Sequence, residues 1–192
     1  MRRRLTWLLV FLLSSAGFCA DLKGNWILEK SEITYQIKHP LHGATGKSLS
    51  AKGKGVCYGE VCKFLIAVPV KSFDSGDSNR DLHMIQTVRG GDNPLIEVNV
   101  RFSAAGHKGL PKVIDADVEI SFAGKKFKYS KVKLTVEPWG ADGAHVTGTI
   151  PLNIKDFAIE PPSLLGVPIS DVVPVQLSLY WKKQQGKSKS NT

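Results

Sequence analysis

The chain has 192 residues, with 26 Lys and Arg against 17 Asp and Glu and a formal charge of +9 at neutral pH. That length holds one domain with a sizeable core rather than several. The basic balance raises nucleic acid as a partner, but no stretch interleaves aromatic with basic residues, which argues against it.

Residues 1–20 read as a secretion signal. Arg2, Arg3 and Arg4 precede an apolar run from Leu5 to Leu13 and then the small residues Ser14 to Gly17. The run is too short to span a bilayer, and the order of basic, apolar and small segments is what export requires. Cleavage is expected near residues 17–20, giving a periplasmic or secreted protein. Cys19 raises the alternative of a lipid-modified N-terminus, but Phe18 stands where a lipoprotein signal carries a small residue.

From residue 21 to 181 almost every segment alternates with period two, the mark of half-buried strands. Ile33, Tyr35, Ile37 and His39 share one parity, and Phe64, Ile66, Val68 and Val70 share another. Ile96, Val98, Val100 and Phe102 alternate with Glu97, Asn99 and Arg101; Val118, Ile120 and Phe122 alternate with Glu119 and Ser121. Val132, Leu134 and Val136, then Ile150, Leu152 and Ile154, then Val173, Val175, Leu177, Leu179 and Trp181 complete the pattern. Turn sequences such as Ala123-Gly124-Lys125-Lys126 and Gly140-Ala141-Asp142-Gly143 separate the runs. Only 78–88 reads as a helix, with Leu82, Ile85 and Val88 on one side and Asp77 or Ser78 as its cap. Pro69, Pro151 and Pro174 fall inside strand-like runs, where they should mark bulges or ends.

Cys57 and Cys62 bracket a short loop between two strand-like runs. In an oxidising compartment, cysteines facing each other at a hairpin mouth are expected to form a disulfide. They lack the two-residue spacing and helix N-terminus of a redox pair. Residues 182–192, with Lys182, Lys183, Lys187 and Lys189 among Gln, Gly and Ser, have nothing to bury and form a basic disordered tail. A basic surface and tail suit peripheral contact with anionic lipid headgroups.

The expected fold is all-β: one antiparallel, lipocalin-like barrel of about eight strands over residues 21–181, with the single helix packed on it. Eight closed strands leave an interior that side chains fill or that holds one small ligand. The inward set is aliphatic with small residues such as Ala67, Ala116 and Gly148 in or beside strands. Alternation alone fits either a cavity or a dry, filled core.

Asn79-Arg80-Asp81-Leu82-His83-Met84 resembles the Arg-Asp-x-His-Leu/Met signature of the YceI-like family. Ser31-Glu32-Ile33-Thr34-Tyr35-Gln36-Ile37-Lys38-His39 is similar to that family's Ser-x-Ile-x-Phe-x-Val-x-His strand. Val68-Pro69-Val70-Lys71-Ser72-Phe73-Asp74-Ser75-Gly76 and Pro94-Leu95-Ile96-Glu97-Val98 take their family places before and after the signature. Near the end, Ile154-Lys155-Asp156-Phe157-Ala158 and Val167-Pro168-Ile169-Ser170-Asp171-Val172-Val173 resemble the Arg-x-Asp-Phe-Gly and closing Val-Ser-Asp-x-Val strands. The order holds from Asn25 to about Trp181. Departures are Thr87-Val88-Arg89-Gly90-Gly91-Asp92 in place of an Asp-Phe-Phe stretch, Lys155 for Arg, and Ala158 where glycine is usual.

The resemblance implies a lipocalin-like barrel that binds an isoprenoid lipid, such as a quinone tail, and catalyses no reaction. The candidates for its apolar tunnel are the inward residues Ile33, Tyr35, Ile37, His39, Phe64, Ile66, Val68, Val98, Val100, Phe102, Val118, Ile120, Leu134, Leu152 and Leu177. Arg80 and His83 are the candidates for the headgroup rim, although Arg80 and Asp81 equally suit a structural clasp. No cofactor is required beyond the bound lipid, and no metal-ligand spacing is present. Monomer and homodimer both stay open. Two other readings stand beside the carrier: a non-catalytic envelope module with a filled barrel, and a metal or redox enzyme using His39 and His83.

Overall fold

The computed structural model describes residues 22–38, 43–107, 109–164 and 167–184. The expected leader, Cys19, His39, His42 and residues 185–192 of the expected tail lie outside them, whereas Lys182 and Lys183, expected in that tail, end the last strand and pair with the first.

Strands β1 (Gly24–Ile37), β2 (Ala44–Ser48), β3 (Lys52–Tyr58), β4 (Val61–Pro69), β5 (Leu95–Ser103), β6 (Val113–Phe122), β7 (Lys125–Trp139) and β8 (Gly143–Asn153) come first. Two short strands, β9 (Ser163–Leu164) and β10 (Val167–Pro168), precede the last long one, β11 (Val172–Lys183), and helix α1 (Ser78–Thr87) separates β4 from β5. Neighbours run β11-β8-β7-β6-β5-β4-β3-β1, and β1 pairs again with β11. The antiparallel sheet is therefore a closed barrel of eight strands, and closure gives each of those eight a neighbour on both sides.

One barrel position is shared. The first part of β1 pairs with β3, through Gly24–Ile27, and its last part pairs with β2, through Ile33–Ile37. Side chains fill in where the chain turns from β2 to β3: the Ala51 amide donates to Ser31 Oγ at 3.2 Å, and the Ser50 amide to Ser48 Oγ at 3.3 Å.

Alternation translates directly into inside and outside. In β6, Ile114, Ala116, Val118 and Ile120 are buried while Asp115 and Asp117 are exposed. The register slips between Ala116 and Val118, and Lys131 opposite takes a left-handed backbone, with φ 55°, which is the mark of a bulge. The β6–β7 hairpin turns on Ala123 and Gly124, both at positive φ (50° and 77°), as a tight hairpin of matching twist requires.

Two prolines depart from expectation. Pro69 does end β4, but Pro151 and Pro174 face each other inside the β8–β11 ladder. The other neighbours have already dropped away there: β11 pairs with β1 only as far as Val175, and β8 with β7 only as far as Gly148. A missing N–H breaks no bond at such a place.

Helix α1 begins as expected, with the Asp77 carboxylate accepting from the Asn79 and Arg80 amides at 2.9 and 3.1 Å. Those bonds, with burial opposing them and Arg80 and His83 adding attraction, hold its carboxyl below the usual carboxylate range. Ile85 and the C-cap residue Val88 face the barrel as expected, but Leu82 is 52% exposed and Met84 packs inward in its place.

The disulfide expected between Cys57 and Cys62 is present, across directly paired residues of β3 and β4. It closes a very short loop, so the Cys57→Ala/Cys62→Ala chain should lose only about 1–2 kcal/mol in urea unfolding. Ala158, which stands where the resembling family carries glycine, sits in the left-handed region at φ 52°. A Cβ is strained there, and Ala158→Gly is expected to raise stability by up to about 1 kcal/mol, read from the same denaturation curve.

Candidate ligand cavity

The barrel is not filled. A cavity of about 770 Å³ occupies its upper part, within the roughly 300–1,000 Å³ range of small-molecule sites. Its wall is built in layers from the inward positions of the strands. Ile37, Val70, Phe122, Leu152 and Val173 lie near the end where α1 packs, and Ile33, Val68, Val98, Ile120 and Leu177 lie deeper.

The lining carries its own signature. Val98, Val100, Val146, Val175 and Leu177 point inward by register, yet each is only half-buried, while Val118 and Ile120 on the neighbouring strand are 2% and 3% exposed. Aliphatic side chains on the inner face of a closed barrel keep accessible surface only if the space in front of them is open. A filled core would have buried them all alike.

Polar groups are confined to the mouth. Asp77, Asn79, Arg80, His83, Gln86 and Thr87 of the α1 segment border it, as do Pro162, Ser163 and Ile169 from the other side. Ser75 organises this rim. Its amide and hydroxyl donate to Asp81 Oδ1, while Arg80 donates from Nε to Ser75 Oγ at 2.8 Å and from Nη2 to the Ser75 carbonyl at 2.7 Å. Arg80 and Asp81 thus converge on one serine and pin the helix start to the preceding loop. That loop is tied to β2 by reciprocal backbone bonds between Lys47 and Asp74 and by Ser48 Oγ against Ser72 Oγ at 2.6 Å.

Most of the candidate residues border this cavity: Ile33, Tyr35, Ile37, Ile66, Val68, Val98, Val100, Val118, Ile120, Leu134, Leu152 and Leu177 in its wall, with Arg80 and His83 at its mouth. Phe64 and Phe102 do not line it. They point inward as expected but belong to the layer beneath, around a separate void of about 60 Å³. Sequence reasoning missed, as lining residues, Met84 of α1 and Val88 just after it, and Ile96, Val146, Ile150, Val173 and Val175 of the wall. The strand residues among them shared the parity of the chosen ones; the other pair depends on packing that no alternation reveals.

Arg89 was missed entirely, although it closes the mouth end. Its Nη2 donates to the carbonyls of Ala123 at 2.7 Å and Phe157 at 3.0 Å, joining the end of α1 to two distant loops.

Two tyrosines near the mouth titrate late. Burial pushes the Tyr35 phenol up, the Asp81 carboxylate adds to the effect, and Arg80 partly offsets it. Tyr129 is pushed up to about 12, chiefly by burial. The Asn153 amide opposes that shift, and Asp156, which accepts from the Tyr129 hydroxyl at 3.2 Å, adds to it. A raised phenol pKa stabilises the fold fully below the unfolded value of 10 and loses that contribution as pH climbs towards about 12. The stability difference between the wild type and Tyr129→Phe should therefore shrink across that interval in denaturation curves taken at rising pH.

Among the described residues no three His, Cys, Asp or Glu side chains gather into a metal site, and no helix is long and apolar enough to cross a membrane.

The sequence matches no protein-family model and no curated protein. The fold, in contrast, is shared with solved structures. One is described as a polyisoprenoid binding domain from Saccharophagus degradans implicated in plant cell wall breakdown. It aligns with a TM-score of 0.71 at 16% identity, over 83% of this chain and 98% of that one. Another is Burkholderia cenocepacia BcnA, with a TM-score of 0.66 at 15% identity, over 78% of this chain and 95% of that one. At such identities the likeness is one of fold. The chain has the barrel of these two proteins over most of its length, the architecture that the YceI-like resemblance implies.

Proposed function

We propose that the protein is an exported carrier that holds one long isoprenoid chain inside its barrel, tail inward, and catalyses nothing. The observation that carries this reading is the open aliphatic cavity of about 770 Å³ with every bordering polar side chain at its mouth. At about 30 Å³ per heavy-atom group, the share of one water molecule in the liquid, that space takes on the order of 25 carbons, or about five isoprene units.

An apolar chain needs no directed contacts to bind there, since each buried methylene contributes about 0.8 kcal/mol. The rim then selects and orients the polar end, with Arg80 and His83 the nearest charged or titrating side chains of α1. The isoprenoid class is supported by the signature around Arg80 and by the description of one structural neighbour as polyisoprenoid binding. Export is supported by the N-terminal leader and agrees with the Cys57–Cys62 disulfide. The basic exterior suits transient contact with an anionic membrane surface, where such a lipid resides. An interaction module with a filled barrel is disfavoured by the cavity itself.

Calorimetric titration with geranylgeraniol and with a short-chain quinone tests the reading. Saturable one-to-one binding with a negative heat-capacity change is expected, because apolar surface is removed from water. Absence of binding to either compound, and to longer prenyl alcohols, would overturn it.

A further inference from the structure

We propose that Phe64 is the ruler that sets how long a chain the barrel accepts, an inference that rests on the carrier function proposed above. The argument begins in β3, whose inward positions are Gly53, Gly55 and Cys57 between outward Lys52, Lys54 and Val56. Glycines weaken a strand, and here both make room for rings. A Cβ on Gly55 would collide with the Phe64 ring, and one on Gly53 would lie 2.7 Å from Trp181. Gly55 and Phe64 are direct cross-strand partners, so the ring lies against bare backbone, a pairing that covers a strand glycine with an aromatic face.

From that seat Phe64 reaches across the lumen. Its ring centroid is 4.7 Å from Trp181, edge to face, and 6.0 Å from Phe102, nearly parallel. These rings form a layer directly beneath Ile66, Val100, Leu134, Val146 and Leu179. That ring of five borders both the main cavity above and the void of about 60 Å³ below. Those five aliphatic residues are therefore the floor of one and the roof of the other, and the aromatic rings line the lower void directly under them. Lower still, Trp26 donates from Nε1 to the Leu22 carbonyl at 2.9 Å and closes the end.

Of the three rings, Phe64 is the yielding one. Trp181 is 3% and Phe102 9% exposed, whereas Phe64 is only half-buried. Polar side chains border the mouth and not the floor, so a chain enters tail first and its last carbons stop on the aliphatic floor that the Phe64 ring backs from below.

The test measures affinity against length for prenyl alcohols of about three to nine isoprene units, in the wild type and three variants. Wild-type affinity should rise with each unit and then level off where the tail meets the floor. Phe64→Ala removes the ring and joins the lower void, so its plateau should begin one to two units later. Chains beyond the wild-type limit should bind that variant at least about tenfold more tightly than they bind the wild type. Gly55→Ala drives the ring upward into the lumen, so its plateau should begin about one unit earlier. Phe64→Leu, a milder truncation checked by thermal unfolding, keeps the test open if alanine prevents folding. Opposite shifts in the two sets of variants would support the ruler. A wild-type plateau that neither Gly55→Ala nor the folded Phe64 variants move would overturn it while leaving the carrier function standing. Failure of the wild type to bind any chain would overturn both.

Discussion

Replacing Val98 and Val175 together by tryptophan is expected to weaken binding of a long apolar chain by at least about a hundredfold while the barrel stays folded. The two valines stand on β5 and β11, which are four strands apart in a ring of eight and so face each other across the lumen. Both line the cavity and both are only half-buried. An indole from each wall meets no backbone first; it enters open space. Displacing four methylenes from that space costs about 3 kcal/mol at roughly 0.8 kcal/mol each, which is on the order of a hundredfold in affinity. Filling a void is neutral or stabilising in itself, so the thermal midpoint should hold or rise. Titration and thermal unfolding of one preparation check both parts. Unchanged affinity in a folded variant would place the lipid somewhere other than the lumen.

Phe157→Ala is the substitution expected to harm stability most. Phe157 has no exposed surface and sits in the short 3₁₀ turn Ile154–Phe157 after β8. Its ring packs edge to face on Phe122 at 5.5 Å and Phe127 at 6.4 Å. Truncation of so enclosed a ring removes about 3–5 kcal/mol, a large part of the roughly 5–15 kcal/mol that holds a domain together. The mouth should loosen as well, because the Phe157 carbonyl is one of the two that Arg89 bridges. Urea unfolding measures the first effect, and amide hydrogen exchange in α1 the second. A loss below about 1 kcal/mol would mean that the site collapses around the missing ring.

Parity was the most legible property of this sequence. A strand exchanges faces at every residue, so Ile96, Val98 and Val100 against Glu97, Asn99 and Arg101 are enough to tell inside from outside. Depth was not legible in the same way. Phe64 and Phe102 have the same parity as Ile66 and Val100, yet one pair lies beneath the cavity and the other in its wall. Parity says nothing of which layer of the barrel a residue occupies, because register and closure set that.

Long-range clasps were equally hidden. Arg89 meets Ala123 and Phe157, 34 and 68 residues away, and nothing local marks an arginine for that role. The helix face departs from expectation at one residue: Leu82 looks like core in a short amphipathic stretch, whereas the turn is pinned by Ser75 through Arg80 and Asp81 and presents Met84 beside the expected Ile85 and Val88. The broken position shared by β2 and β3 is illegible for a different reason. Its inward residues include Gly46, Gly53 and Gly55, which carry no hydrophobic signal at all.

The most direct measurement of the central claim is mass spectrometry of an organic extract of the full-length protein, purified from the compartment to which its host delivers it. The account predicts one prenyl lipid or isoprenoid quinone per chain, absent from the extract of the Val98→Trp/Val175→Trp variant. An extract without such a lipid, from wild-type protein that also fails to take up quinones added in excess, would contradict it.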